Sequence, residues 1–150
     1  MNLSQKCQYA LRALFELSRR AGRGPLGIAE IAEAQAIPPR FLELILGQLK
    51  QTGWVQSYRG VHGGYALTVS PQEITVGKVI RLIEGPLKPV RCIAGQQGGD
   101  CRLRGKCAFM GLWDRAEKAV SQVYDSTSLG DLVAEDATSD QHANPADASA

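Results

Sequence analysis

A mainly α fold carrying one small β-hairpin is what the sequence predicts, and three observations predict it. Apolar residues recur at three- and four-residue spacings in several separate stretches, the signature of amphipathic helices. One pair of runs rich in Val, Tyr, Trp and Thr is separated by Gly60 to Gly64, the composition of a hairpin. Between the last two helical stretches lies an aperiodic segment, rich in glycine and cysteine, that is too long for an ordinary connection.

The first helix is read from Leu3, Cys7, Ala10, Leu11, Leu14 and Leu17, ending near Ala21-Gly22. After Gly24-Pro25 a short second helix places Ile28, Ile31 and Ala32 on one face, and Ile37 leads into Pro38-Pro39. Pro39 suits a first helical position, where its missing N–H would have no partner anyway. The third helix therefore starts near residue 39, with Leu42, Ile45, Leu46 and Leu49 inward, Arg40, Glu43, Gly47 and Lys50 outward, and Gly53 as the stop. Two short helices joined by a tight turn make a helix-turn-helix, and a hairpin directly behind its second helix makes a wing with Arg59 at the tip. Val76, Val79, Ile80 and Ile83 predict a fourth helix, capped by Thr75 and stopped by Gly85-Pro86. A final helix is expected from about 108 to 124. Its stripe of Leu112, Trp113, Ala116, Ala119, Val120 and Val123 exceeds what so small a domain covers, so a second copy is expected against it.

The expected organisation is thus a winged helix-turn-helix DNA-binding domain at 1–85, a cysteine-rich loop at 86–107, a long dimerisation helix and C-terminal segment at 108–134, and a disordered acidic tail at 135–150. The tail reading rests on Glu135, Asp136, Asp140 and Asp147 standing without any Lys or Arg. With 150 residues and 44% apolar content the chain can bury one modest core. No apolar run reaches about 18 residues, so neither a membrane span nor a secretory leader is expected, and the expected location is the cytoplasm. The net charge is only +2, but residues 1–60 hold eight cationic side chains against four acidic ones. Hydrolase or transferase chemistry finds no support: there is no P-loop, no G-x-S-x-G and no acid-base pair at useful spacing.

Cys92, Cys101 and Cys107 fall in a C-x8-C-x5-C pattern with four glycines that let the backbone wrap an inorganic core. Arg91, Arg102, Arg104 and Lys106 favour thiolates and offset their charge. A disulfide framework fits poorly with a reducing compartment and an odd cluster. An iron-sulfur cluster, zinc, or free redox thiols all remain compatible with the pattern, although zinc sites usually bring cysteines in closer pairs. A small redox protein, in which the helix-turn-helix is mere scaffold, is the rival from another class; it predicts no salt-dependent DNA binding.

The segments MNLSQKCQYALRAL, IAEIAEAQAIPPRFLELILGQLKQTGWVQSYRGVHGGYAL and ITVGKVIRLIEG, with a three-cysteine loop leading into a helix containing LW, resemble the Rrf-two type family of bacterial regulators, which includes the IscR, NsrR and RirA groups. The resemblance runs from Met1 to about Val133. It implies a homodimeric winged helix on a roughly palindromic double-stranded operator, and an iron-sulfur cluster, 2Fe-2S or 4Fe-4S, on Cys92, Cys101 and Cys107. It implies regulation by iron-sulfur supply, iron, nitric oxide or redox state. DNA contacts are expected from Pro39, Arg40, Phe41 and Glu43 on the recognition helix and from Arg59, Gly60 and His62 in the wing. The fourth ligand departs from the family pattern: Met110 stands where IscR-like members have histidine, and Gln8 where some NsrR-like members have an acid from the other subunit. Cys7 beside it is the alternative, although its place on the apolar stripe makes it a core residue first. His142 is expected to be idle, and Trp54 and Trp113 to be packing residues.

Overall fold

The computed structural model describes residues 2–87, 102–103 and 105–140. Helix α1 (Gln5–Arg19) is started by Ser4, whose hydroxyl accepts from the Cys7 N–H, and it buries Cys7, Ala10, Ala13, Leu14 and Leu17. α2 (Ile28–Gln35) and α3 (Pro39–Gln51) are joined by a turn in which Ala36 adopts φ 50°. That residue reverses the chain while Ile37, 3% exposed, drops into the core and Pro39 opens the next helix at its first position. Leu42, Ile45, Leu46 and Leu49 form the inward stripe of α3, as the spacing predicts.

Strands β1 (Val55–Tyr58) and β2 (Gly64–Leu67) pair antiparallel, with Val55 opposite Leu67 and Tyr58 opposite Gly64. The hairpin is anchored to the helices by a bridge in which Leu26 and Tyr65 exchange N–H···O bonds of 2.8 Å in both directions. A one-turn 3-10 helix (Pro71–Glu73) leads into α4 (Val76–Glu84), capped by the Thr75 hydroxyl. Cys7, Ile80 and Leu87 form a second apolar cluster with Leu3, Leu11, Ile83 and Tyr124 around it.

α5 (Met110–Ser126) buries no residue, while Leu112 and Val123 stay 44% and 61% exposed. Its C-terminal end is tied to α4 by Arg81, whose two guanidinium nitrogens donate to the two carboxylate oxygens of Asp125 at 2.6 and 2.7 Å. α5 is not the final helix that the sequence predicts. A sixth helix, α6 (Leu129–Asp140), follows, so residues 135–140 of the expected acidic tail are helical; residues 141–150 lie outside the described residues. Ser128 and Asp131 cap α6 reciprocally: Ser128 N–H donates to Asp131 Oδ2 at 2.8 Å, and the Asp131 N–H donates to Ser128 Oγ at 3.0 Å. Leu129, fully buried, completes the same core as Leu14 and Leu46.

These two carboxylates give the fold an acid sensitivity. The Arg81 hydrogen bonds hold Asp125, and the Ser128 hydrogen bonds hold Asp131, below the ordinary value of 3.8. Both bind protons more weakly folded than unfolded, so their contribution is full above the unfolded value and is lost as pH falls through the lower folded one. Thermal melts followed by circular dichroism from about pH 5 to pH 2 should show falling midpoints, and Asp125→Asn should flatten part of that fall.

Candidate functional site

The face of α3 opposite its buried stripe carries Arg40, Leu44, Gly47 and Gln51, with Phe41 and Glu43 on its flanks, and all six are exposed. Leu44 is 72% exposed and Phe41 56%, an unusual pair of large apolar side chains on a water-facing helix. The Phe41 ring meets Tyr9 of α1 at a centroid distance of 6.4 Å, which holds the start of α3 against the first helix. Lys50 Nζ donates to Ser57 Oγ at 2.7 Å and ties the end of α3 to β1.

At the wing tip Arg59, Gly60, Val61 and His62 are all exposed, and Val61 is 97% exposed. Gly60 at φ 106° makes the tight turn, closed by the Gly63 N–H donating to the Gly60 carbonyl at 3.0 Å. Among the described residues neither Arg40 nor Arg59 is ion-paired, so both guanidinium groups stand ready for an external anion. The residues expected to contact DNA, Pro39, Arg40, Phe41, Glu43, Arg59, Gly60 and His62, thus lie exposed on α3 and on the adjoining wing. Gln51 and Leu44 are the residues on this face that the sequence reading does not name, and Leu44 is the apolar one. Its three-residue spacing from Phe41 was the available signal.

Of the loop cysteines, Cys92 and Cys101 lie outside the described residues. Cys107 is a free, half-buried thiol three positions ahead of α5, and its carbonyl accepts from the Met110 N–H at 3.2 Å. Arg102 and Lys106 beside it are exposed. Among the described residues no three His, Cys, Asp or Glu side chains gather into a metal site. Cys7 is fully buried, and burial, helped by Glu84, pushes its thiol up to about 11. Gln8 is exposed and donates through Nε2 to the Leu3 carbonyl at 3.1 Å.

A helix-turn-helix with an exposed second helix, a hairpin anchored beside it and unpaired arginines on both define a winged-helix DNA-binding regulator of transcription. The chain belongs to the Rrf2 family, described as iron-dependent transcriptional regulators, whose model matches residues 3–135. It is 36% identical over 132 residues to the HTH-type transcriptional regulator CymR of Bacillus subtilis, covering 88% of this chain and 89% of that one. It is 35% identical over 133 residues to IscR of Aliivibrio salmonicida, covering 89% and 77%. Among solved structures it resembles CymR, the global cysteine regulator of B. subtilis, with a TM-score of 0.74, 34% identity and coverage of 90% and 98%. It also resembles T. potens IscR, with a TM-score of 0.72, 32% identity and coverage of 96% and 93%. These relatives are regulators rather than enzymes, and regulators of this family bind DNA and are usually dimers. No helix among the described residues is long and apolar enough to cross a membrane.

Proposed function

We propose that the chain is a homodimeric regulator whose affinity for a roughly palindromic operator is set by an iron-sulfur cluster held by Cys92, Cys101 and Cys107. The observation that carries the reading is the position of Cys107, free and half-buried just ahead of α5, in a stretch that places three thiols within sixteen residues. Three thiolates with cationic neighbours are a donor set suited to iron-sulfur chemistry, and the family description as iron-dependent supports it. When bound, the cluster supplies a core whose integrity depends on iron, sulfide and oxidation state.

The protein's own part is mechanical. Cys92, Cys101 and Cys107 would hold the cluster, which would constrain the connection between α4 and α5, while the exposed Arg102 and Lys106 would offset the thiolate charge. α3 enters a major groove with Arg40 and Glu43 toward base edges, and Arg59 reaches the flanking minor groove. A second copy packed across the exposed face of α5 would bring the other α3 to the next major groove of a palindromic operator. Of the two residues named for a fourth ligand, Gln8 is exposed, whereas Cys7 is fully buried in the cluster with Ile80 and Leu87.

Anaerobically purified protein should be coloured and carry iron and acid-labile sulfide, and their stoichiometry distinguishes 2Fe-2S from 4Fe-4S. Cys101→Ala should lose both while its thermal melt shifts by less than about 1 kcal/mol equivalent, because a polar loop adds little core. Protein that stays colourless after anaerobic reconstitution overturns the cluster reading. It would favour a second one, a cluster-free or zinc-bound regulator answering to a metabolite or partner, which the likeness to the global cysteine regulator supports.

A further inference from the structure

We infer that Leu44 is a specificity residue that reads the C5-methyl group of a thymine in each half-site of the operator. The inference rests on α3 being the helix that enters the major groove, and it adds to that reading a residue and the base it selects.

On α3 the buried residues Leu42, Ile45, Leu46 and Leu49 define one side of the helix. Counting 3.6 residues per turn, the direction away from them passes between Arg40, Leu44, Gly47 and Gln51. Leu44 is therefore in the middle of the outward face, one turn beyond Arg40, and it is 72% exposed. Gly47, one turn further on, adds nothing that would hold a base edge away; a side chain there would meet no atom within 4 Å. Among the described residues Leu44 belongs to neither apolar cluster, because the buried side chains of α3 lie on the opposite side of the helix.

In the major groove the one apolar feature among the base edges is the thymine methyl. Arg40 before Leu44 and Glu43 beside it offer a donor and an acceptor for the neighbouring base pairs. The apolar side chain between them finds a favourable partner only where a methyl group projects. Against a cytosine N4 amine or a bare pyrimidine edge, Leu44 would shed water and gain no contact. Selectivity follows from the difference, and a contact worth one methyl group corresponds to about a three- to fivefold change in affinity.

The test starts from a randomised duplex library selected with the intact protein. In the selected duplex each thymine is then replaced in turn by deoxyuridine, which removes the methyl group and leaves every hydrogen-bonding atom in place. Wild-type protein should lose about three- to fivefold in affinity at one symmetry-related pair of positions, and Leu44→Ala should be indifferent to the swap there. Leu44→Met, which keeps an apolar side chain of similar volume, should retain the discrimination. Uniformly neutral deoxyuridine swaps in the wild type would overturn the inference while leaving DNA binding intact, as would a penalty that persists in Leu44→Ala. Failure of the library to yield any preferred duplex would overturn the recognition-helix reading, and the inference with it.

Discussion

Gly64→Ala is expected to cost about 2–4 kcal/mol in chemical denaturation and to weaken operator binding more than any exchange of a single exposed wing residue. Gly64 sits at φ +148°, at the start of β2, where the hairpin meets the segment between α1 and α2. A Cβ on it would point into the backbone of Leu26, lying 2.5 Å from the carbonyl carbon and 2.8 Å from the Gly27 nitrogen, with the Leu26 oxygen nearer still. Backbone cannot swing aside as a long side chain can. The next residue, Tyr65, makes the paired 2.8 Å bonds that hold the hairpin to Leu26, so relief of the clash breaks that bridge. The expected product is a folded helical core with a detached wing: near-normal helix content, a lowered denaturation midpoint and weak DNA affinity. A variant with wild-type stability would mean that the bridge to Leu26 does not hold the wing.

The second large effect is expected at the other end of the chain. Leu129→Ala should destabilise by about 3 kcal/mol, and truncation after Ser128 by more, because both empty a fully buried position in the main core. Truncation also removes the Leu129 N–H that donates to the Ile74 carbonyl at 2.9 Å, and the Asp131 half of the α6 cap. Leu132 packs against the same cluster and Gly130 is buried, so the first turn of α6 is part of the main core. Equilibrium unfolding of the truncated chain at a midpoint equal to the full chain would show α6 to be an ornament rather than a wall of the core.

That helix shows where sequence reading reached its limit. Its second half carries Glu135, Asp136 and Asp140 with no apolar repeat, and composition alone assigns such a stretch to a tail. What holds it is its first turn, where Leu129 and Leu132 are only two apolar residues, too few to establish a period. Its salt link runs from Asp136 to Arg19 on α1 at 3.9 Å, a long-range pairing that no local pattern encodes. By contrast, α1, α3 and α4 are legible because each has a full amphipathic repeat, and two of them carry start signals as well, Pro39 at the first position of α3 and Thr75 as the cap of α4. The hairpin was legible from its glycines, but the reason for Gly64 was not, since the atom it must avoid belongs to Leu26, nearly forty residues earlier.

At the candidate site the sequence names Arg40, Glu43, Arg59 and His62, all of them exposed, because charge and turn glycines are visible one residue at a time, while Phe41 enters through the family resemblance. Leu44 escaped for the opposite reason. Neither charge nor turn chemistry marks it, and only its position relative to the inward Leu42, Ile45, Leu46 and Leu49 sets it on the outward face. The loop cysteines were found by clustering, yet the clustering does not specify which metal they take, since spacing constrains ligand geometry only loosely once four glycines intervene.

The attachment of α5 has a mechanical consequence. Its firm ties lie at one end, where Asp125 grips Arg81 and Tyr124 rests against the cluster around Cys7, while Phe109 and Leu112 at the other end lie exposed. Seventeen residues at 1.5 Å each make a rod of about 25 Å pivoted near Asp125, so a rotation of about 10° there carries the Cys107 end through about 4 Å. Gly77 lies directly beneath the pivot, where a Cβ would come within 2.9 Å of the Arg81 guanidinium and 3.0 Å of the Asp125 carboxyl carbon. The helix is thus a lever with its fulcrum on α4 and its long arm ending near Cys107, so that a small force at that end acts on α4 with the leverage of the whole rod.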